Sequence, residues 1–420
     1  MNIKIFFDFH DLFVDAKNAW IKAFEYYCNN SKVADDYNNK MSKRDICIKY
    51  NLDYNVVETE YRIFLQPLND NIEFAKLLGK YYKISVCSLS SKDRLIKDIN
   101  KFNLASLFTD IYSKNDVINK KDFFKNISNN YDWIVYFNHE YNEIIMFENI
   151  VYIPINMKGD LEQFKNKSFT EHAKNKLLYN ELSKYYMEAI ANDTDLESEF
   201  ISSVFKKNIG KESGTLLDCC CGVGRHDYIL GNKGYKVTGI DISESQIANA
   251  KKIHSNPNTR YKVMDVRNIN NLKNKFDMAI CMWTTYNYLS LDKDFISFIK
   301  GVYNHQDKGS ILLLDSKNIP KLKKRRVYKR NTEKKSLKME LIINKFVDNN
   351  IQNSQYMYFI KNNDNKQFYY DEEYVRFYTL DEIKKLVDKY YIVKYNYGDF
   401  KFSEYDEKTS ERFIIVLERK

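Results

Sequence analysis

The alternation of hydrophobic and polar positions predicts that short strands and longer helices follow one another along most of the chain. In the first half, short apolar runs are typical of buried strands, and apolar positions spaced three and four residues apart are typical of helices. The predicted strands lie at 3–9, 84–87, 133–137 and 150–154, and the predicted helices at about 15–30, 42–50, 54–66, 70–80 and up to 103. Strands that alternate with helices favour a parallel α/β sheet.

The second half repeats this arrangement and adds a different one. A second α/β sheet is predicted from strands at 215–218, 236–240, 260–264, 276–282 and 310–315. Three segments that alternate apolar and polar positions, 337–347, 351–361 and 366–377, predict an antiparallel meander attached to that sheet. A helix at 379–389 and strands at 391–398 and 412–418 follow. The polar segment 156–166 is the candidate linker between the halves, and 168–208 is predicted to form two helices.

Length and charge narrow the classes of protein to consider. At 420 residues the chain is long enough for two domains, at roughly 100–200 residues per domain. The formal net charge is +9, and acidic and basic residues are mixed along the chain, so nucleic-acid binding is not favoured. One basic run is an alternative site for RNA phosphates or an acidic substrate, but a solvated loop is the expectation. It comprises Lys321, Lys323, Lys324, Arg325, Arg326, Lys329 and Arg330.

Cysteine usage indicates a reducing compartment. The chain has seven cysteines, three of them adjacent at 219–221 and none in a C-x-x-C pair, which argues against a disulfide framework and against structural zinc. The N-terminus lacks the features of a signal peptide, and no apolar window is long enough to span a membrane. We therefore expect a cytoplasmic protein whose partner is a small molecule and whose oligomeric state the sequence leaves open.

The most informative motif is the run from Leu216 to His226, in which an apolar strand enters a glycine-bearing turn and a helix follows. Small residues in such a turn let the backbone approach a nucleotide cofactor closely, and an acid at the end of the next strand accepts hydrogen bonds from ribose hydroxyls. Asp241 has that position, 23 residues after Asp218. The acid Asp218 at the start of the turn favours a cationic ligand over a phosphate. Cys220 stands where glycine is expected.

This motif resembles motif I of the class I S-adenosylmethionine-dependent methyltransferases. Further segments resemble that family in the same order, namely 239–243, 264–267, 276–282, 309–315, 376–383 and 397–400, so that the resemblance covers about residues 170–420. It implies S-adenosylmethionine as the cofactor. The implied cofactor-binding residues are Asp218, Cys220, Gly222, Gly224, Arg225, Asp241, Ile242, Asp265, Val266 and Met282.

The effect of Cys220 has three possible outcomes. Cysteine is small, so the loop is expected to close and to tolerate it. The alternatives are a reactive thiol, whose reactivity depends on exposure and local charge, and the loss of cofactor binding.

Methyl transfer from a sulfonium requires the enzyme to align nucleophile, carbon and sulfur, and orientation supplies roughly 7–11 kcal/mol of the barrier. The segment 283–288 follows the fourth strand and is expected to line the pocket, where its aromatic rings attract a cation. The candidate catalytic residues are Tyr286, Tyr288 and Tyr378, and the candidate substrate-binding residues are Tyr185, Tyr186, Trp283, Asn287 and Arg376. For the aromatic residues plain packing is the alternative, and for Arg376 it is a surface ion pair.

The N-terminal half resembles the haloacid dehalogenase superfamily through the segment from Asp8 to Asp15. The resemblance covers about residues 1–155 and implies Asp8 as a nucleophile, with His10 where a second acid normally stands. Ser88 fits the motif hydroxyl, and Lys121 or its neighbour Lys120 fits the motif lysine. Asn138 stands near the place of the acids that hold Mg²⁺, which prefers carboxylate oxygens. Asp8 would hold Mg²⁺ only in an active site, with Glu140 or Glu143 compensating for Asn138.

The sequence therefore predicts an α/β protein with two Rossmann-like domains. Residues 1–158 are expected to form a haloacid-dehalogenase-like domain with a helical cap at about 15–82. Residues 159–209 are expected to form a linker and lid helices. Residues 210–420 are expected to form a methyltransferase domain with a β insertion at about 337–377. The expected activity is methylation of nitrogen or oxygen in a small molecule, such as a phosphorylated or nucleotide-linked metabolite or sugar, with an inactive N-terminal domain. A bifunctional phosphatase–methyltransferase and a non-catalytic cofactor-binding partner are the alternatives.

Overall fold

The computed structural model describes residues 1–28, 30–139, 144–154, 176–183, 193–319, 325–334, 337–348, 350–363 and 365–420. The chain divides into two compact units. Unit 1 comprises Met1–Gly159, Val327–Ile342 and Tyr358–Phe368, and unit 2 comprises Asp160–Arg326, Ile343–Met357 and Tyr369–Lys420. The candidate linker at 156–166 lies outside the described residues.

Unit 1 contains a six-stranded sheet in the order β3-β2-β1-β4-β6-β5. Its strands are β1 (Ile3–Phe7), β2 (Ile84–Cys87), β3 (Asp110–Tyr112), β4 (Trp133–Asn138), β5 (Ile145–Phe147) and β6 (Ile150–Pro154). All pairings are parallel except that of β5 with β6. The central strands are buried on both faces, which explains their continuous apolar runs. The strands β3 and β5 have only three residues each, and the hydrophobic pattern did not predict them.

The helices of unit 1 follow the predicted periodicity with two additions. They are α1 (Ala16–Cys28), α2 (Lys32–Asn38), α3 (Lys43–Lys49), α4 (Tyr54–Phe64), α5 (Asn69–Leu78), α6 (Lys92–Lys101) and α7 (Lys120–Ile127). Side chains cap three of the N-termini, through Ser42 for α3, Asp53 for α4 and Asn119 for α7. The short, polar α2 and α7 are the additions, because neither has enough apolar positions to show a period.

Unit 2 is built on a second α/β sheet. The strands of the second half are β7 (Thr215–Cys219), β8 (Lys236–Asp241), β9 (Thr259–Val263), β10 (Met278–Cys281), β11 (Ile311–Lys317), β12 (Arg325–Lys334), β13 (Leu337–Asp348), β14 (Ile351–Asn362), β15 (Asn365–Arg376), β16 (Tyr391–Tyr397) and β17 (Arg412–Arg419). The helices are α8 (Thr194–Ile209), α9 (Arg225–Asn232), α10 (Glu244–Ile253), α11 (Asp292–Asn304) and α12 (Leu380–Val387).

Seven of these strands form one sheet in the order β16-β17-β11-β10-β7-β8-β9. The strands from β11 to β9 are parallel, and β17 pairs antiparallel with both β11 and β16. Apolar cores cover both faces of the sheet. The predicted α/β class is therefore confirmed, and the carboxyl ends of β7, β8 and β10 lie side by side.

The strands β12, β13, β14 and β15 form a separate four-stranded sheet in chain order. Parts of β13 and β14 belong to unit 1, where the ring of Phe359 lies 5.6 Å from that of Trp133 and Lys361 Nζ lies 2.6 Å from Asp132 Oδ1. The antiparallel pairing of this insertion stays a prediction. The expected solvated loop at the basic run is wrong in part, because Arg325, Arg326, Lys329 and Arg330 lie in β12, with Arg325 buried. Lys321, Lys323 and Lys324 lie outside the described residues.

The seven cysteines all lie within the described residues, and none of them is joined to another by a disulfide bond. Among the helices of the described ranges, none combines the length and the apolar character that crossing a bilayer requires.

Candidate functional site

The loop after β7 adopts three left-handed backbone conformations. Cys220 has a φ of 68°, Gly222 of 56° and Gly224 of 74°. Glycine adopts this region readily, and a Cβ at Gly224 would overlap the ring of Tyr261. Cys220 has a Cβ, and the left-handed conformation costs such a residue about 1–2 kcal/mol. Cys220 therefore adopts the backbone conformation that glycine would have in this turn, at an energetic cost.

Asp241 ends β8 directly opposite this loop. Its Oδ2 accepts a hydrogen bond from the backbone N–H of Gly222 at 2.9 Å, and its Oδ1 accepts one from Ser243, also at 2.9 Å. Burial raises the pKa of Asp241 to about 6, although these backbone bonds act in the opposite direction. Each carboxylate oxygen keeps a further lone pair, so the pair of oxygens is suited to accept from two neighbouring hydroxyls.

A cavity of about 640 Å³, part of it open to solvent, lies at this edge of the sheet. Its walls are apolar for the most part, with a few polar groups that converge on it, as is usual in ligand sites. Its lining residues are Tyr179, Cys220, Gly222, Asp241, Ile242, Gln246, Met264, Asp265, Val266, Thr285, Tyr288 and Leu289. Seven of the residues singled out in the sequence are among them, which are Cys220, Gly222, Asp241, Ile242, Asp265, Val266 and Tyr288.

Five lining residues were not predicted individually. Tyr179, Gln246 and Leu289 carry no motif of their own, whereas Met264 lies within the segment 264–267 and Thr285 within the segment 283–288. Gln246 was foreseeable, because Ser243 caps the N-terminus of α10 by accepting from Gln246 N–H, and the first turn after Asp241 faces the same edge. Tyr179 was not, because it lies in a short turn, Leu177–Tyr179, far from the loop in sequence.

Asp265 lines the cavity but is also engaged by a neighbour. The Nε and Nη2 atoms of Arg267 donate to the Asp265 carboxylate, the latter at 2.6 Å, and the backbone N–H of Arg267 donates to Oδ1 at 2.9 Å. A ligand amino group at Asp265 would therefore use lone pairs that Arg267 leaves over.

Asp218 lies beneath the loop and is not among the lining residues that the structure describes. It is buried, as is Asp227, and among the described residues neither oxygen of Asp227 has a hydrogen-bond partner. Burial, followed by the charge of Asp218, raises the pKa of Asp227 well above its ordinary range. Burial also raises the pKa of Asp218, which the nearby His226 opposes. Asp227 therefore holds its proton more tightly than an exposed carboxyl does.

The other predicted cofactor and substrate residues have internal partners. Arg225 Nη1 pairs with Glu197 at 2.6 Å, and the indole of Trp283 donates to the same carboxylate. Arg376 donates to Ser290 O, Asp292 and Glu382 at 2.7–2.9 Å, and accepts from Asn287 Nδ2 through its carbonyl. The Tyr378 hydroxyl donates to the Leu289 carbonyl, and Tyr286 and Met282 are buried. Gly224 is the N-cap residue of α9. Tyr185 and Tyr186 lie outside the described residues.

In unit 1 the predicted residues gather at the carboxyl ends of β1 and β4. Asp8 is buried, and Lys120 Nζ lies 2.9 Å from its Oδ2. His139 Nδ1 lies 3.4 Å from the same oxygen and its Nε2 4.0 Å from Asp11 Oδ2. The choice of Lys121 is wrong for this position. Neighbouring residues on a helix diverge by about 100°, so Lys121 points elsewhere, with its Nζ 5.5 Å from the ring of Phe147.

His10, Ser88 and Asn138 each have a polar contact with a residue other than Asp8. His10 Nε2 lies 2.9 Å from Asp98 Oδ2 and its Nδ1 3.1 Å from Ser90 Oγ. Burial lowers the pKa of His10, although Asp98 opposes the shift. The Ser88 hydroxyl accepts from Ser90 N–H at 3.3 Å, and the amide of Asn138 approaches the Ile153 carbonyl at 3.5 Å.

The described residues around Asp8 do not by themselves make a Mg²⁺ site. A magnesium ion needs several oxygen ligands, usually carboxylates, whereas Lys120 and His139 approach Asp8 Oδ2 with nitrogen atoms. Within the described parts of the chain, no group of three metal-ligating side chains comes together. Glu140 and Glu143 lie outside the described residues.

Part of the chain matches a known protein family. Residues 216–309 match the family model described as "Methyltransferase domain". A Bacillus subtilis protein named "Putative methyltransferase YqeM" is 34% identical over 105 residues, which are 25% of this chain and 42% of that protein. An uncharacterized methyltransferase of Schizosaccharomyces pombe is 33% identical over 88 residues, 20% of this chain and 61% of that protein. The chain thus spans about half the length of these relatives.

Among solved structures, a sugar N-methyltransferase from a Streptoalloteichus species is similar at a TM-score of 0.51 and 13% identity. The similarity covers 57% of this chain and 92% of that one, and it bears on the fold alone. The chain is therefore similar to methyltransferases over residues 216–309, and this range lies within unit 2.

Proposed function

We propose, from the similarity to methyltransferases over residues 216–309, that the protein transfers a methyl group from S-adenosylmethionine to a nitrogen or oxygen atom of a small molecule. The observation that carries this proposal is the cavity formed by the glycine-type loop, the Asp241 carboxylate and the turn after β10. These three elements come from the carboxyl ends of β7, β8 and β10, the usual ligand edge of a parallel sheet.

Each portion of S-adenosylmethionine has lining residues that are suited to bind it. The two oxygens of Asp241 are suited to the ribose hydroxyls, and Asp265 with the apolar Val266 to the adenine. Gly222 and Cys220 border the space left for the amino-acid portion. When bound, S-adenosylmethionine supplies a methyl group on a positively charged sulfonium. The chain's own contribution is to hold the donor and exclude water with Ile242, Met264 and Leu289.

Among the candidate tyrosines, Tyr288 is the one best positioned to contact the substrate. It lines the cavity, whereas the Tyr378 hydroxyl is engaged by a backbone carbonyl. Burial, followed by the charge of Glu373, raises the pKa of Tyr288 far above its ordinary range. Tyr288 therefore orients an acceptor as a hydroxyl and does not remove its proton. An acceptor that is a neutral amine needs no base before methylation, which favours nitrogen over oxygen.

A calorimetric titration with S-adenosylmethionine tests the site. We expect the wild-type chain to bind the donor and Asp241→Ala to weaken binding at least about tenfold, because two hydrogen bonds to a charged group are lost. Asp381→Ala is the matched control, since its side chain is 95% exposed on α12. Absence of binding to the wild type, or equal binding by Asp241→Ala, would refute the proposal. Binding without methylation of any acceptor in a broad metabolite panel would favour the non-catalytic alternative.

For unit 1 we propose a haloacid-dehalogenase-like domain that does not hydrolyse phosphate with magnesium. The resemblance of the segment from Asp8 to Asp15 supports the family, and Asn138, near the place of the acids that hold Mg²⁺, lacks the negative charge that the ion prefers. We expect no magnesium-dependent hydrolysis of an aryl phosphate above the level of Asp8→Asn. Turnover that requires magnesium and disappears in Asp8→Asn would instead establish the bifunctional alternative.

A further inference from the structure

A buried side-chain amide on the wall of the cavity has one atom without a partner. Gln246 lines the cavity and is only 1% exposed. Its Nε2 approaches the carbonyl oxygen of Leu178 at 3.5 Å, whereas its Oε1 has no hydrogen-bond partner among the residues that the structure describes. Buried polar atoms in folded proteins nearly always have a partner, so this oxygen indicates a group that arrives with a ligand.

Hydrogen bonds along the chain fix the position of Gln246 relative to Asp241. The backbone N–H of Gln246 donates to Ser243 Oγ at 3.2 Å, in the N-terminal cap of α10. The backbone N–H of Ser243 donates in turn to Asp241 Oδ1 at 2.9 Å. Gln246 and Asp241 both line the cavity, and one residue, Ser243, bonds to both of them.

The turn Leu177–Tyr179 determines which end of the amide remains available. Ser243 Oγ donates to the carbonyl oxygen of Tyr179 at 2.6 Å, which holds this turn against the start of α10. The Leu178 carbonyl of the same turn faces the Nε2 of Gln246, so that Oε1 is left for another group. An amide oxygen has lone pairs and no hydrogen, and its partner must therefore be an O–H or N–H donor.

The adenosine portion of the proposed methyl donor carries such groups, namely two ribose hydroxyls and the amino group of adenine. The carboxylates suited to them are already engaged in part. Asp241 accepts from two backbone N–H groups, and Asp265 accepts from three nitrogen atoms of Arg267. Gln246 Oε1 adds to this wall an acceptor that no described residue occupies.

We propose that Gln246 Oε1 accepts a hydrogen bond from the adenosine portion of the methyl donor, through a ribose hydroxyl or the adenine amino group. This inference rests on the proposed function and adds a residue that determines which nucleoside the site prefers. The Leu178 carbonyl keeps the amide in the orientation that presents Oε1 to the ligand.

Calorimetric titrations with S-adenosylhomocysteine and three analogues test this contact. The analogues lack the 2′-hydroxyl, the 3′-hydroxyl or the 6-amino group, and the proteins are the wild type and Gln246→Leu, which has no acceptor. Removing the contacted group should weaken binding to the wild type. This penalty should be about threefold to tenfold smaller in Gln246→Leu, because the hydrogen bond is already absent there. The analogue that shows the difference identifies the group.

A purely structural role of Gln246, through its contact with Leu178, predicts a different result. Loss of support for the turn would weaken the binding of all four ligands by the same factor, so that each penalty would be equal in the two proteins. That result would refute the contact. Gln367→Leu, at an exposed glutamine on β15, is the matched control and should bind every ligand as the wild type does.

A second variant keeps the test decisive if circular dichroism shows that Gln246→Leu does not fold. Gln246→Glu keeps an oxygen at this place, and hydrogen bonds to an ionised acceptor are stronger than those to an amide. At about pH 8, the penalty for one of the three analogues should therefore be larger in Gln246→Glu than in the wild type. Unchanged penalties for all three would count against the contact.

The outcomes also distinguish this inference from the function on which it rests. If S-adenosylhomocysteine does not bind the wild type, the proposed function fails. If it binds, but no penalty differs between the wild type and the variants at Gln246, the contact with adenosine is refuted and the proposed function stands.

Discussion

The indole Nε1 of Trp283 donates a hydrogen bond to Glu197 Oε2 at 2.8 Å, and this contact fixes the turn that leads from β10 into the cavity. Arg225 and Arg412 lie over the Trp283 ring, at 5.3 and 4.9 Å from its centroid. Trp283 and Thr284 have φ values of 61° and 67°, two consecutive left-handed conformations that cost energy. The interactions of Trp283 offset that cost, because they hold the strained turn in place just before Thr285 and Tyr288.

Substitutions of Trp283 and Glu197 should separate the contribution of the indole hydrogen bond from that of the shared carboxylate. Trp283→Phe keeps a ring between the guanidinium groups and loses one hydrogen bond to a charged acceptor, so we expect a loss of about 1.5–3 kcal/mol in the free energy of unfolding. Glu197→Ala leaves Arg225 and His226 without their shared carboxylate, and about 3–5 kcal/mol is expected. Denaturant unfolding monitored by circular dichroism measures both. A smaller loss for Glu197→Ala than for Trp283→Phe would show that the ring, and not the carboxylate, holds this turn.

Donor binding should depend on pH through Asp241. The pKa of this carboxyl is raised to about 6 by burial, so it is protonated below that pH and ionised above it. Ribose hydroxyls need the ionised form as acceptor. We therefore expect the affinity for S-adenosylhomocysteine to be constant above about pH 7 and to fall below pH 6, approaching about tenfold per pH unit.

Calorimetry at several pH values between 5 and 8 measures this profile. Asp241→Asn should bind weakly at every pH and show no inflection near 6. The same inflection in Asp241→Asn would assign the titration to another group.

The sequence predicted the elements that carry a period and the residues that carry a motif. Asp241 and Asp265 were found because their place after a strand follows from the topology, and both line the cavity. Tyr179 and the interior bonds of Trp283 and Arg376 were not found, because such contacts join segments far apart in sequence and depend on packing that no local pattern encodes. Lys121 was chosen over Lys120 because spacing alone does not resolve which of two adjacent lysines faces inward.

Replacing Cys220 by alanine and by glycine should change the stability of the protein by different amounts. Cys220→Ala keeps the Cβ in the left-handed conformation and loses the thiol. Cys220→Gly loses the same thiol but removes the conformational cost, so it should be about 1 kcal/mol more stable than Cys220→Ala. Thermal unfolding of the two variants side by side is the measurement. Equal stability would mean that the turn relaxes to remove the strain, and Cys220 would then tell nothing about loop shape.

The buried pair of Asp218 and Asp227 makes stability depend on pH in a known direction. Because burial and Asp218 raise the pKa of Asp227 above its ordinary value of 3.8, the folded chain keeps a proton that the unfolded chain releases. The stability from this group is complete below about pH 3.8 and declines as the pH rises towards the folded-state pKa. Asp227→Asn has nearly the same shape and has no carboxyl proton to lose.

We therefore expect Asp227→Asn to gain on the wild type as the pH rises above 4, by up to about 1.4 kcal/mol per pH unit. Urea unfolding of both chains at pH 5, 6 and 7 gives the difference directly. Asp381→Asn, on the exposed face of α12, is the control and should follow the wild type. A difference that does not change with pH would mean that Asp227 is ionised in the folded chain. Asp218 and Asp227 would then both be charged, and the raised pKa of Asp227 would have to be abandoned.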